Sequence, residues 1–138
     1  MSVIYLLDTN TVSYIAKGKS PAARAHLEAL GDGEVAYISS ITEAELRYGL
    51  AKRPAAYALR LSVEALLFKL RILPWGSNEA AAYGALRAKL EAAGITLSEL
   101  DLQIAAHALA GGAVLVTNDK ALLRLEDLSA SVNWASDL

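Results

Sequence analysis

The sequence predicts an α/β fold, a single domain over 1–138 in which a mainly parallel sheet of about five strands is sandwiched by helices. Three observations carry this prediction. Short apolar runs rich in β-branched and aromatic residues recur along the chain, each bounded by turn-forming residues, which is the pattern of strands buried on both faces. The stretches between them are rich in Ala and Leu and long enough for helical crossovers. Strand and helix signals alternate, as they do where βα units wind into a parallel sheet.

In chain order, "VIYLL" at 3–7 is the first strand, stopped by Asp8, Thr9 and Asn10. Helices are predicted at 11–17 and 22–30, punctuated by Gly18 and Gly31. "EVAYISS" at 34–40 is the second strand. A helix at 42–53 ends before Pro54, whose ring cannot continue it, and another follows at 55–70. "LRILPW" at 70–75 is the third strand, with Gly76 separating it from a helix at 78–93 that Gly94 closes. A helix at 99–110 leads through Gly111 into "AVLVTND" at 113–119, and "SASVNW" at 129–134 is a weaker strand signal. There is no internal repeat, low-complexity tract or linker.

Composition limits the functions this fold could serve. With 138 residues, 54% of them hydrophobic, one core can be filled and two ordinary domains cannot. The absence of cysteine excludes disulfides, thiolate metal sites and cysteine nucleophiles, and fits a reducing compartment, so a cytoplasmic protein is expected. The first residues lack a basic leader and their apolar run is cut at Asp8, so neither a signal peptide nor a membrane span is expected. A net charge of −2 argues at first against nucleic acid, but setting aside four acids as one metal site leaves +2 on the remainder.

Those four acids are placed by the predicted fold. In an open parallel sheet the ligand crevice lies at the carboxyl ends of the strands. Asp8 closes the first strand and Asp119 closes "VLVTND", while Glu45 in "SSITEAELRYG" and Asp101 in "LSELDLQIAAHALA" stand near helix starts. Four carboxylates meeting in one place would suit a hard divalent cation such as Mg²⁺ or Mn²⁺, because like charges packed without one push each other's pKa values up. Such an ion serves phosphodiester hydrolysis.

Each acid also has a local alternative. Thr42 with Glu45, and Ser40 with Glu43, both spell a capping box, Ser98 stands in cap position for Asp101, and Asp119 sits in a turn-like "TNDK". Asp8 is the strongest candidate, since a buried strand end is a costly place for an unpaired charge. His26 and His107 stand singly in Ala/Leu-rich stretches and read as structural. No Gly-rich phosphate loop, G-x-S-x-G or H-E-x-x-H is present.

The segments "LLDTNTVSYIAKG", "ISSITEAELRYGL", "DLQIAAHALAGGAVLVTND" and "VNW" together resemble PIN-domain ribonucleases, in particular the VapC-type toxins of bacterial toxin–antitoxin pairs, in order and spacing across nearly the whole chain. The resemblance implies a Mg²⁺-dependent endoribonuclease, with Mn²⁺ a plausible substitute, and a cognate VapB-like antitoxin that blocks its site. It assigns the acids to Asp8, Glu45, Asp101 and Asp119 as catalytic and metal-holding residues. Asn10 and Thr117 become supporting neighbours, and Glu43 is left to capping. Relatives of this pattern cut structured RNAs such as transfer RNA. Many place an acid and Phe after "VTND", where this chain has "KALLRL", so the loop beside the site is expected to differ.

Two competing readings are weaker. A haloacid-dehalogenase-like phosphatase would use Asp8 as nucleophile but expects an acid two residues on, where Asn10 stands. A receiver-like or degenerate binding module does not explain four retained carboxylates. The 55–70 helix carries two apolar stripes about 200° apart, Tyr57, Leu61, Ala65 and Phe68 against Leu59, Val63, Leu66 and Leu70. One stripe serves the core, so the other, with the 42–53 helix, is expected to contact the antitoxin, a second copy in a homodimer, or both. The antitoxin is expected to set an Arg or Lys against the acids.

Overall fold

A computed structural model describes residues 2–138. Its elements alternate as the sequence predicts: β1 (Val3–Leu7), α1 (Thr9–Ala16), α2 (Pro21–Glu28), β2 (Glu34–Ser39), α3 (Ser40–Lys52), α4 (Tyr57–Lys69), β3 (Arg71–Leu73), α5 (Ser77–Ala92), α6 (Glu99–Gly111), β4 (Val114–Val116), α7 (Lys120–Leu123) and β5 (Ala130–Val132). The five strands form one sheet in the order β3-β2-β1-β4-β5, parallel throughout.

Alternation along the central strand divides the core. Leu6 and Leu7 are both fully buried and point to opposite faces. Leu7 joins Val12, Ile15, Ile38, Leu50 and Leu66 beneath α1 to α4, whereas Leu6 joins Leu86, Leu90, Ile104 and Leu115 beneath α5 and α6. Trp134, 3% exposed, closes the first layer with Tyr5 tilted against it and His26 stacked on its ring at 5.6 Å. That stacking gives His26 a packing role. His107 is buried in α6, and its Nδ1 has no partner among the described residues.

Several predicted boundaries move. The strands expected at 34–40, 70–75, 113–119 and 129–134 contract to the ranges above, because pairing ends where the neighbouring strand ends: Ser39 faces Leu73, and Val116 faces Leu7 and Val132. The helices expected from 11 and 42 begin earlier, since Asp8 and Ser39 supply their caps. The short α7 has too few residues for a periodic signal and was not expected. In α4 the Leu59, Val63, Leu66, Leu70 stripe is the core-facing one, and Tyr57, Leu61 and Phe68 are exposed.

Candidate active site

The sheet order reverses direction at β1: the chain steps outward through β2 and β3, then returns to the other side of β1 as β4. At such a switch point the connections leaving two adjacent strands diverge and open a crevice at their carboxyl ends. Asp8 leaves β1 and Thr117 to Asp119 leave β4 into that crevice.

Asp8 is both cap and buried acid. Its backbone is extended (φ −74°, ψ 168°), and Oδ1 accepts the Thr11 N–H at 2.8 Å, so Asp8 starts α1 as an N-cap. Oδ2 accepts the Thr117 hydroxyl at 2.6 Å. Thr117, with no exposed surface, in turn accepts the Asp119 N–H at 3.0 Å. One hydroxyl therefore joins the ends of β1 and β4 and sets Asp119 relative to Asp8. Thr11 adds a bond to the Val116 carbonyl at 3.3 Å, and the Asp8 N–H reaches the same carbonyl at 3.0 Å.

Asp119 caps α7, where Oδ1 accepts from the Ala121 and Leu122 N–H groups at 2.9 and 3.1 Å. Asp101 comes from the opposite layer. Ser98 caps α6 by accepting the Asp101 N–H at 3.2 Å, which seats Asp101 in the first turn. A small pocket brings Asp8, Thr9, Asn10, Leu100, Asp101 and Ile104 together.

Electrostatics tie three of the acids to each other. Burial pushes the Asp8 carboxyl above the usual carboxylate range, opposed by the Thr117 and Thr11 hydrogen bonds and reinforced by the charge of Asp119. Burial also raises Asp101, with Ser98 lowering it and the charges of Asp119 and Asp8 adding to the rise. Mutual repulsion among oxygen donors fits a hard cation. As their side chains stand, no three acids or histidines among the described residues are grouped closely enough to ligate one ion together.

Glu45 is placed differently. It is exposed on α3 and lines a neighbouring groove with Thr9 and Asn10, the two residues that this groove shares with the Asp8–Asp101 pocket. The capping boxes suggested for Glu45 and Glu43 do not form. Ser39 caps α3 through the Ile41 N–H, Ser40 instead accepts the Trp75 N–H, and Thr42 is buried against the Thr9 hydroxyl. Glu43 pairs with Arg47 at 3.1 Å rather than with a helix end. Sequence reasoning missed Thr9, Thr11, Leu100 and Ile104 as parts of the site. For Thr11 a signal existed, since a residue three after an Asp cap supplies the N–H it accepts.

The Thr117 hydroxyl bridge between Asp8 and Asp119 can be tested separately from the acids themselves. Thr117→Val keeps the shape but strands an Asp8 oxygen and the Asp119 N–H, which should cost about 1–3 kcal/mol in denaturant titration. On the ribonuclease activity that the sequence resemblance implies, cleavage should fall about 10–100-fold, and Thr117→Ser should restore it. A Thr117→Val protein cleaving RNA at the original rate removes this role.

The chain matches the family model described as "PIN domain" over residues 5–128. Ribonuclease VapC2 of Rickettsia felis is 35% identical over 133 residues, covering 96% of this chain and 98% of that protein. The tRNA(fMet)-specific endonuclease VapC of Salmonella typhimurium is 35% identical over 115 residues, covering 83% and 86%. Among solved structures, VapBC2 from Rickettsia felis bound to a DNA fragment from its promoter aligns with a TM-score of 0.87 at 34% identity over 96% of this chain and 99% of that one. DNA-bound VapBC from Salmonella typhimurium aligns with a TM-score of 0.84 at 31% identity over 96% and 98%.

Proposed function

Since the chain belongs to the PIN-domain family, we propose that it is an endoribonuclease toxin that hydrolyses RNA phosphodiester bonds and is held inactive by a VapB-like antitoxin. The observation that carries this reading is the buried Asp8 carboxylate at the switch point, joined through Thr117 to Asp119 and set across a small pocket from Asp101.

In this reading Asp8, Asp101 and Asp119 hold a divalent cation, Mg²⁺ with Mn²⁺ as substitute, and Glu45 approaches from α3. The cation supplies water activation and stabilises the charge that develops on the phosphate. The chain's own residues do the positioning. Thr11 and Thr117 hold the two Asp8 oxygens, Ser98 seats Asp101, and Leu100 and Ile104 give the pocket an apolar wall. Asn10, exposed at the start of α1, is left to orient water or a phosphate oxygen. Transfer RNA is the substrate class we put first, because a relative carries that specificity in its name. Among the described residues no helix is long and apolar enough to cross a membrane, and a cytoplasmic site of action follows from an RNA substrate.

The direct test incubates purified protein with transfer RNA and with unstructured RNA, with Mg²⁺ or with chelator, and maps the new 5′ ends. Cleavage at defined positions, lost on chelation and regained with Mg²⁺ or Mn²⁺, is expected. Cleavage indifferent to chelator would reject the metal-dependent nuclease.

The antitoxin is expected to set an Arg or Lys against these acids, where a guanidinium can bind a carboxylate through two parallel hydrogen bonds. Inhibition is then competition with the cation. Raising Mg²⁺ should weaken the toxin–antitoxin complex measured by calorimetry and restore cleavage. An affinity that is flat across the Mg²⁺ series leaves steric blockage and excludes competition.

A further inference from the structure

The acids occupy one end of a longer surface feature. The groove that Glu45 shares with Thr9 and Asn10 continues between α1, α3 and α4 past Lys17, Lys52 and Arg53, then into an open trough that adds Lys19. These four cations are exposed, and none makes an ion pair among the described residues. Among the described residues, Glu45 is the only acid lining either groove. Arg24, Arg47, Arg87 and Lys89 each face a carboxylate, and the other unpaired cations, Arg60, Lys69, Arg71, Lys120 and Arg124, lie outside both grooves, so what sets these four apart is that they share one groove.

Their backbone placement explains how four cations come together. Lys17 is the C-cap of α1, and Gly18, at φ 68°, turns the chain so that Lys19 follows on the same rim. Lys52 and Arg53 end α3. Both helices present their negative dipole ends here, which favours cations locally. Dipoles account for the sign at each helix end, but not for two ends converging on one groove that leads to the Asp8 pocket.

We propose that this groove is the track for the RNA backbone, with Lys17, Lys19 and Arg53 contacting phosphates on one side of the scissile bond and Lys52, its Nζ 4.9 Å from the Tyr48 ring centroid, flanking them. The inference rests on the nuclease reading. It resolves the electrostatic objection raised by the net charge of −2: the surface is zoned, and phosphate meets the acids only where a cation offsets them. A single strand fits best, because an extended, flexible backbone can follow a groove and open trough that carry cations from the ends of both α1 and α3.

The test measures binding of a fluorescein-labelled single-stranded RNA of mixed sequence across a salt series, with chelator present so that the probe stays intact. Lys17→Gln, Lys19→Gln and Arg53→Gln combined should weaken binding and lower the slope of log affinity against log salt by about 2, at about 0.7 for each phosphate no longer neutralised. With Mg²⁺ restored, the loss should appear in KM far more than in kcat. The control combines Lys69→Gln, Arg71→Gln and Arg124→Gln, unpaired cations outside both grooves. A second measurement needs no variant: RNA should shield Lys17 and Lys19 of the natural protein from acetylation and leave Lys69 reactive.

An unchanged salt slope, an equal loss in the control, or no shielding of Lys17 and Lys19 overturns the proposal. So does a groove variant that binds RNA normally but has lost the antitoxin, which makes the groove a protein interface. If RNA binds through the groove as described but the natural protein never cuts it with Mg²⁺, the groove stands and the nuclease reading fails.

Discussion

Replacing Asp8 or Asp101 by Asn is expected to lower RNA cleavage by orders of magnitude while the fold survives. Asn keeps the shape and most of the hydrogen-bonding capacity at the α1 cap, but removes a charge that the proposed cation site requires. Stability should move the other way. Asp8 has a folded-state pKa raised mainly by burial. The folded state therefore holds this proton more tightly than the unfolded chain does, and stability falls as pH rises from the ordinary carboxylate value through the raised one. In chelator at neutral pH, Asp8→Asn should melt at a higher temperature than the natural protein, and the difference should vanish below the ordinary carboxylate pKa. Glu45→Gln, on an exposed side chain that caps nothing, separates a role at the acids from a bystander: a nuclease role predicts reduced cleavage. Glu43→Gln removes only an exposed pair with Arg47, so its cleavage should hardly change. If Asp8→Asn and Asp101→Asn both cleave normally, no metal-nuclease reading is left to defend.

The second large effect concerns association. Phe68 is 95% exposed, Leu61 73%, Tyr57 72% and Tyr48 60%, all on α3 and α4. Four large apolar and aromatic side chains left exposed on two neighbouring helices mark an interaction surface, because leaving them in water forgoes the burial that such side chains otherwise supply. We propose that the antitoxin, a second copy of the chain, or both cover it. Large apolar anchors at the centre of an interface typically cost about 2 kcal/mol or more on truncation, about thirtyfold in affinity. Phe68→Ala with Leu61→Ala should therefore weaken the toxin–antitoxin complex, or the homodimer, by at least about that factor and leave thermal stability nearly unchanged. Light scattering and calorimetry on the chain alone and with co-expressed antitoxin distinguish the two partners. A monomer in isolation whose antitoxin affinity ignores both substitutions would leave this face without a role.

Much of the architecture could be read from local pattern. The β-branched runs at 3–7 and 34–39 and the Ala/Leu stretches between strands are signals whose physics is local: side-chain alternation for strands, 3.6-residue periodicity for helices. The two stripes of α4 were visible in the same way. Which stripe is buried was not, since a periodicity identifies faces and only packing against α1, α3 and β3 selects one of them. Helix starts were similarly ambiguous. Ser39, Ser40 and Thr42 all qualify as caps by type, and Ser39 takes the role because β2 ends there, opposite Leu73 on β3. Asp8 shows that a cap and a site acid need not be alternatives, because a carboxylate has two oxygens and the two roles use different ones.

By itself the sequence determined the fold class, the alternation of elements, and the identity of Asp8, Asp101, Asp119 and Glu45 as the acids to consider. Those follow from residue types and their spacing along one chain. The tertiary structure alone decided that Thr117 bridges Asp8 to Asp119, that Glu45 stands on the rim while Asp8 and Asp101 both feel the charge of Asp119, and that Lys17, Lys19, Lys52 and Arg53 share one groove. Each of these joins residues tens of positions apart in the chain, and no local pattern encodes a distance that exists only once β1 and β4 lie side by side.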